Sequence, residues 1–429
     1  MNSFRDFIGR LDKENKLLKV SKEVSTNLEI ANIANAAGTK PVLFENIKES
    51  GFRAAGNIFP NRDSVCEYLG CSKEELIPKL IDAINNPTKP ELETGYGQLE
   101  TEDHVDLSQL PIPTYLPADG GPYITAGIVI AKDPELGQNL SFHRMMVIDK
   151  DKLVLRILHR HLDEFISRAG GEIEVAMIIG APINVLLSAA ISSTLGQNEL
   201  EFANALMPLK TVKLENGIEI PSDVEFAFTG KITKEMHDEG PFLDLTGTYD
   251  IIRKQQVMVV DKIYHRPDPI WHVLLPGGLE HKVLMGMPRE PTIFNEVNQV
   301  AKCTGVNITP GGCSWLHAVV SIEKKSEQEG KAAIEAAFKG HKSLKRAIIV
   351  DSDINIDDPA EVEWALATRF QADKDLIIKE NEKGSSLDPS ADPQTYKTTK
   401  VGMDATKPID RADHFKKAEY GKVELEKYF

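Results

Sequence analysis

Cysteine is scarce in this sequence: Cys66, Cys71, Cys303 and Cys313 are the only four among 429 residues. None forms a C-x-x-C pair. Neither a disulfide framework nor a zinc site built on close cysteine pairs is therefore expected, and the thiols read as reduced core or surface groups. Positive charge is short as well. Fifty basic residues stand against 65 acidic ones, a net charge of −15. That leaves no basic footprint for general nucleic-acid binding, although it does not exclude a local pocket for a phosphate. Long apolar runs are also missing. The most apolar stretch, 175–193, is broken by Gly180-Ala-Pro182 and Asn184, so it reads as a buried strand and helix and not as a membrane span. The opening Met1-Asn-Ser-Phe-Arg-Asp is charged and lacks the apolar core of a secretory signal, which points to a cytoplasmic protein. No G-x-G-x-x-G, Walker or G-x-S-x-G motif occurs. A nicotinamide site, a nucleoside-triphosphate site and a serine hydrolase are thus unsupported.

What is present is an ordinary globular composition, 41% hydrophobic and 27% charged, with a length that suggests two or three domains. Residues 1–105 mix helical and strand patterns. Phe4 to Leu18 has helical spacing, Pro41 to Asn46 reads as a buried strand, and Ser72 is placed to cap a helix reaching Ile84. Residues 106–280 are β-rich. Strands are expected at Ile124–Ala131, Asn139–Ile148, Leu153–Leu158, Val224–Gly230 and Gln256–Tyr264, joined by turns into an antiparallel meander that closes as a barrel. Helices interrupt it at His161–Arg168 and Ile183–Leu206. From 281 to 429 helices and strands alternate around the buried run Arg346–Val350, the pattern of βα units.

Two polar segments carry chemistry. Glu239-Gly-Pro-Phe-Leu-Asp244 sets two carboxylates around a Gly-Pro turn, and Asn139-Leu-Ser-Phe-His-Arg144 ends in a cation that can pair with them. Two acids of unlike environment beside one fixed cation can divide proton-transfer work. Asn139 and Arg144 are five apart, which puts them on opposite faces of a regular strand, so a bulge or a break is needed to bring both to one site. Asn139, His161 and Glu199 offer an amide oxygen, an imidazole and a carboxylate. That mixed hard set suits magnesium or manganese, above all one that also binds phosphate oxygens. His159 is an alternative to His161. The run Asp351-x-Asp353-x-Asn355-x-Asp357 lacks the glycine and glutamate of a calcium loop and reads as a turn and helix cap.

Taken together, Asn139–Asp149, Arg156–His161, Glu199–Leu206, Glu239–Asp244, Gly311–Trp315, Asp351–Asn355 and Lys400-Val-Gly-Met-Asp-Ala-Thr406 resemble the UbiD family of decarboxylases over nearly the whole chain. The resemblance implies an α/β (α+β) architecture: an N-terminal α/β domain, a flavin-binding split β-barrel, and a C-terminal α/β domain that builds homo-oligomers, dimers or hexamers. It implies prenylated FMN supplied by a flavin prenyltransferase, with Mn2+ or Mg2+ and K+ as cations. Asn139, His161 and Glu199 would hold the divalent metal at the flavin phosphate, Lys400 would reach that phosphate, and Phe142, His143, Arg144, Arg156 and Ile157 would line the flavin. Arg144, Glu239 and Asp244 would be the acid–base network, with Asp244 as the proton donor. Aspartate stands there where some members carry glutamate, which shortens the reach. The substrate would be an α,β-unsaturated acid. The branch acting on trans-anhydromevalonate 5-phosphate, in a modified mevalonate route to isoprenoids, is most similar. Aromatic acids of the 4-hydroxybenzoate type, including 3-polyprenyl-4-hydroxybenzoate, are the alternative. A non-catalytic flavin-binding subunit and a metal-dependent phosphoesterase are readings of other classes.

Overall fold

The computed structural model describes residues 3–428 apart from positions 103, 192, 419 and 422. The chain divides into two compact units. One runs up to Pro291 and takes in Pro310–Trp315 and Ser386–Pro389; the other comprises Thr292–Thr309, Leu316–Ser385 and the residues from Ser390 onward.

A nine-stranded sheet organises the first unit. Its strands are β1 (Glu100–Glu102), β2 (Tyr123–Ile124), β3 (Ile128–Asp133), β4 (Gly137–Phe142), β5 (Met145–Val147), β6 (Lys152–Leu155), β7 (Ile173–Ile179), β8 (Phe226–Glu239) and β9 (Arg253–His265). They lie in the order β2-β5-β6-β9-β8-β7-β3-β4, with β1 pairing on β9. The pairings are antiparallel, but the order is not a simple meander. Among the described residues the two ends of the path do not pair, so the sheet is open and not a closed barrel. Ile128, Ile130, Ala176 and Ile178 pack into one apolar cluster, while their chain neighbours Val129, Ala131, Val175 and Met177 pack into another. Successive strand residues face opposite sides. Both faces are therefore buried here, which is why β3 and β7 read as unbroken apolar runs.

Two expected strands are each split, for reasons that matter to the site. Gly127 interrupts the first. A Cβ there would lie 2.2 Å from Cε of Met145, and at this glycine the chain changes partner, from β5 to β4 and β7. The second is interrupted at His143-Arg144, between β4 and β5. That break removes the geometric conflict between Asn139 and Arg144. Helices α1 (His161–Arg168), α2 (Ile183–Ala190) and α3 (Glu199–Leu206) pack beside the sheet. The single helix expected over 183–206 is thus two; position 192 between them lies outside the described residues. The helix expected from Ser72 runs over Lys73–Asn85, with Ser72 Oγ accepting the Glu75 N–H and Glu75 accepting the Ser72 N–H, a capping box. Helix α4 (Leu279–Gly286) follows a four-stranded sheet that ends with Ile270–Val273. No helix among the described residues is long and apolar enough to cross a membrane.

The second unit is a five-stranded sheet of β10 (Lys302–Ile308), β11 (His317–Glu323), β12 (Arg346–Asp351), β13 (Leu376–Lys383) and β14 (Lys397–Ala405), ordered β10-β11-β12-β14-β13. Helix α5 (Glu329–Gly340) crosses from β11 to the parallel β12, as βα units require. The acidic run after β12 has structural partners. Arg369, whose side chain is fully buried, binds Asp351 at 2.7 Å and Asp353 at 2.8 Å, and Asp358 caps the helix α6 (Pro359–Arg369). Burial opposes ionisation of Asp353, but hydrogen bonds from Arg369 and Lys407 win and hold its carboxyl down to about 2. The stability Asp353 adds is present above the ordinary carboxylate range and is lost as the pH falls towards 2. Arg369→Met is expected to cost about 3–5 kcal/mol in urea denaturation, because Asp351 stays buried without its cation.

Candidate active site

Arg144 occupies the break between β4 and β5, with its side chain 12% exposed. Its Nε and Nη2 donate to the two oxygens of Glu239 at 2.9 and 3.0 Å, a bidentate pair. Nη1 donates to Asp244 Oδ2 at 3.2 Å, and Nη2 also reaches Asp250 Oδ2 at 2.9 Å. Burial alone would lower the guanidinium pKa. The bonds and charges of Glu239, Asp244 and Asp250 outweigh it and raise the pKa, so the cation is permanent.

The acids are placed by backbone. Glu239 is the last residue of β8, opposite Arg253 at the start of β9, and is completely buried. The Tyr123 hydroxyl gives it a further bond at 3.1 Å. Gly240 follows at φ +101°, a conformation that favours glycine, and the Gly240–Pro241 peptide is cis. The turn sets the Phe242 ring 5.3 Å from the Arg144 guanidinium and 4.0 Å from the Tyr123 ring. Asp244 Oδ1 accepts the Leu245 N–H at 2.7 Å. Its side chain is 18% exposed, so of the two motif acids it is the one that can face a ligand.

A second cluster lies at the other end of β4. Asn139 Nδ2 is 2.9 Å from Glu199 Oε1 and 3.3 Å from His161 Nδ1. Glu199, the first residue of α3, is 1% exposed and also accepts the Leu140 N–H at 2.8 Å and the Ser193 hydroxyl at 2.5 Å. Burial pushes its carboxyl up to about 7 against those bonds. Burial, helped by Arg160, lowers the His161 imidazole pKa and favours the neutral ring that a metal requires. The Asn139 Oδ1 is buried with no partner. A half-turn of that amide would bring the oxygen to the side of Glu199 and His161. A hard cation fits this donor set, because it would satisfy the orphan oxygen and restore the Glu199 charge. Among the described residues no three His, Cys, Asp or Glu are placed to hold a metal ion between them; with two such ligands and one amide, further oxygens must come from a phosphate or water.

The remaining expected residues fall as follows. Phe142 ends β4, half-buried. His143 is buried, with Nδ1 donating to the Arg156 carbonyl at 2.9 Å and Nε2 accepting from Ser141, and burial takes its pKa down to about 4. Arg156 lies 3.7 Å from Asp250, and the Ile157 N–H donates to Gln255 at 2.7 Å. His159 is exposed and paired with Asp163 at 2.9 Å, so it is His161 that meets Asn139. Lys400 belongs to the second unit, where its ammonium donates to the Lys342 carbonyl at 2.6 Å and lies 5.4 Å from the Phe338 ring centroid. Three residues of the site had no motif to mark them: Tyr123, Asp250 and Arg253. Asp250 and Arg253 form an ion pair at 2.6 Å, and the three-residue spacing of acid and base was the one signal available.

The matching family models are the 3-octaprenyl-4-hydroxybenzoate carboxy-lyase N-terminal domain over residues 8–84, its Rift-related domain over 91–279 and its C-terminal domain over 282–405. The anhydromevalonate phosphate decarboxylases of Methanosarcina mazei and Methanocaldococcus jannaschii are each 43% identical to this chain. The first match covers 97% of this chain and 99% of the relative, the second 91% and 94%. The solved structure of the UbiD-class enzyme HmfF from Pelotomaculum thermopropionicum in complex with FMN is 37% identical over 100% of both chains, with a TM-score of 0.95. An evolved dimeric form of HmfF in complex with prFMN is 35% identical over 100% of both chains, with a TM-score of 0.91. Fold, acid–base cluster and relatives define an enzyme of the carboxy-lyase class. Within that class, this chain belongs to the UbiD family.

Proposed function

We propose that this chain decarboxylates trans-anhydromevalonate 5-phosphate in a modified mevalonate route to isoprenoids, using prenylated FMN and a divalent cation. The observation that carries the reading is the Arg144 guanidinium fixed by both oxygens of buried Glu239, with the more exposed Asp244 on its Nη1. The substrate class follows the anhydromevalonate phosphate decarboxylases at 43% identity. Asn139, His161 and Glu199 hold Mn2+ or Mg2+ at the flavin phosphate, with K+ as a further cation. Phe142, His143, Arg156 and Ile157 line the flavin. Lys400 is a further candidate for the phosphate. The protein works in the cytoplasm as a homo-oligomer, and a flavin prenyltransferase supplies its cofactor.

When bound, prenylated FMN supplies the electron sink that side chains lack. The chain's own residues do the rest. Arg144 binds and orients the substrate carboxylate, and Glu239 keeps the plane of the guanidinium fixed. For each CO2 that leaves, the carbon that carried it takes up one proton. Asp244 delivers that proton and regains it from water. A flavin-carrying subunit without catalysis needs none of these three residues.

The test is headspace CO2 and product mass from protein co-produced with a flavin prenyltransferase. Release of CO2 with a phosphorylated alkene one carboxyl group smaller supports the reading. Turnover of 4-hydroxybenzoates alone would move the substrate to aromatic acids, and phosphate release without CO2 would replace the reaction altogether. Arg144→Lys keeps the charge but loses the fork. It is expected to lower kcat/KM about 100-fold while the flavin stays bound, read by steady-state kinetics and absorbance.

A further inference from the structure

The hairpin that carries Asp244 is short of apolar anchors. Two strands, Phe242–Leu243 and Tyr249–Asp250, pair antiparallel with Phe242 opposite Asp250. Asp244 lies in the turn between them. Its N–H donates to the Thr248 carbonyl at 3.1 Å, and its carbonyl accepts the Gly247 N–H at 2.9 Å. On the outgoing limb Phe242 is buried, but on the return limb Tyr249, Ile251 and Ile252 are all exposed. A two-stranded hairpin is marginal without further support. On the return limb that support is Asp250.

Asp250 is the meeting point of three arginines. Its Oδ2 accepts from Arg144 Nη2 at 2.9 Å and lies 3.7 Å from Arg156 Nε. Its Oδ1 pairs with Arg253 Nη1 at 2.6 Å and accepts the Ile251 N–H at 2.9 Å. Burial opposes ionisation of Asp250, but the Arg253 bond and the charges of Arg144, Arg253 and Arg156 outweigh it and hold the carboxyl below its ordinary range. Asp250 is therefore a fixed charge and not a proton donor.

The bond to Asp250 also limits how Arg144 can meet a ligand. A guanidinium has five N–H groups in one plane. The Nε–H and one Nη2–H go to Glu239, the other Nη2–H goes to Asp250, and one Nη1–H goes to Asp244. Among the described residues one N–H is left over, and it sits on the Nη1 that already holds Asp244. A carboxylate bound there has Asp244 as its neighbour.

We propose that Asp250 is a positioning residue for the decarboxylation: it pins the return limb of the acid hairpin to Arg144 and, by occupying Nη2, leaves the substrate carboxylate only the Nη1 N–H beside Asp244. Substrate grip and proton delivery are thereby held on one nitrogen. The inference rests on the reading of Arg144 as carboxylate binder and Asp244 as proton donor.

Asp250→Asn turns one acceptor into a donor facing arginines and frees an N–H on Nη2. Glu239 still holds Arg144 by two bonds, so flavin absorbance should match wild type and KM should not rise. Its kcat should fall about 10- to 100-fold, because displacing reacting groups by about an ångström can cost about 100-fold. Hydrogen–deuterium exchange gives a reading independent of turnover. With or without flavin, the amides of residues 243–252 should exchange at least about tenfold faster in the variant, the worth of a lost hydrogen bond to a charged group, while β3 and β7 keep their rates. A role in stability alone predicts a lower melting temperature and less flavin with wild-type kcat per bound flavin, and that result overturns the proposal. So does a loss of kcat with unchanged exchange in the hairpin. Should Asp250→Asn not fold, Arg253→Met frees Oδ1 while leaving the bond to Arg144. It should loosen the same amides and lower kcat by a smaller factor, and wild-type exchange and kcat there overturn the proposal as well. Asp244→Asn is measured alongside. Full activity there removes the underlying reading, whereas an inactive Asp244→Asn beside a fully active Asp250→Asn removes the role of Asp250 alone.

Discussion

Asp244→Asn is expected to retain bound flavin and lose turnover, with kcat down about 10²–10⁴-fold, the usual worth of a general acid. The amide has the same shape. Its oxygen can still accept from Arg144 Nη1 or from the Leu245 N–H, the two bonds Asp244 makes now. Arg144 itself should not move, because Glu239 holds it by two bonds and Asp250 by a third. What the amide cannot do is give a proton to carbon. None of the Asp244 contacts involves Asn139, His161 or Glu199, so flavin content measured by absorbance and mass spectrometry should match wild type. The discriminating result is a flavin-loaded protein that releases no CO2. Full activity would remove Asp244 from the chemistry, and loss of flavin would make it a binding residue.

Much of the architecture was legible because local chemistry writes it. Ser72 with Glu75 three residues on is a capping box in sequence and in structure. Arg346–Val350 is apolar because β12 lies inside its sheet. The misread boundary of the longest strand has one cause, namely that pairing overrides local pattern. The strand expected at Val224–Gly230 runs on to Glu239 as β8, although residues 234–238 are exposed. It does so because β9 accompanies it, with register shifts at Thr229/Gly230 and Ile232/Met236. No buried face, and therefore no period of two, announces that half of the strand. The same pairing carries polar Glu239 out to the place where it meets Arg144.

The site was legible where the acids and the cation share short segments, and illegible where the sheet supplies the partner. Tyr123 reaches Glu239 across 116 positions of sequence, and Arg253 arrives by the register of β9 against β8. Bulges set that register, and no spacing in the chain encodes it. His159 and His161 are equivalent as letters. They separate only because α1 starts at His161, which leaves His159 exposed and turns His161 towards Asn139.

Glu199→Gln should remove metal and flavin together, because in the proposed site one carboxylate serves both. Glu199 now accepts three hydrogen bonds, from Asn139, Leu140 and Ser193. Glutamine keeps the volume but turns one acceptor into a donor facing donors, and it gives a cation no negative charge. Loss of an outer partner of a metal ligand typically costs 10–100-fold in affinity, and loss of the carboxylate ligand should cost more than about 100-fold. The pH behaviour follows from burial, which raises the Glu199 carboxyl to about 7. A group raised on folding favours the folded state fully below its unfolded value, and that contribution is lost as the pH rises through the folded one. Metal-free wild type should therefore lose thermal stability between about pH 4.5 and 7, whereas Glu199→Gln lacks that component. Metal binding should displace a proton below about pH 7, so that Mn2+ affinity in the wild type climbs about tenfold per pH unit there and then levels off. Titration calorimetry in two buffers of different ionisation heat reads the proton, and absorbance of purified Glu199→Gln reads the flavin. A variant that keeps wild-type flavin while losing Mn2+ would show that the cofactor is anchored elsewhere, and the common tether through Asn139, His161 and Glu199 would have to be given up.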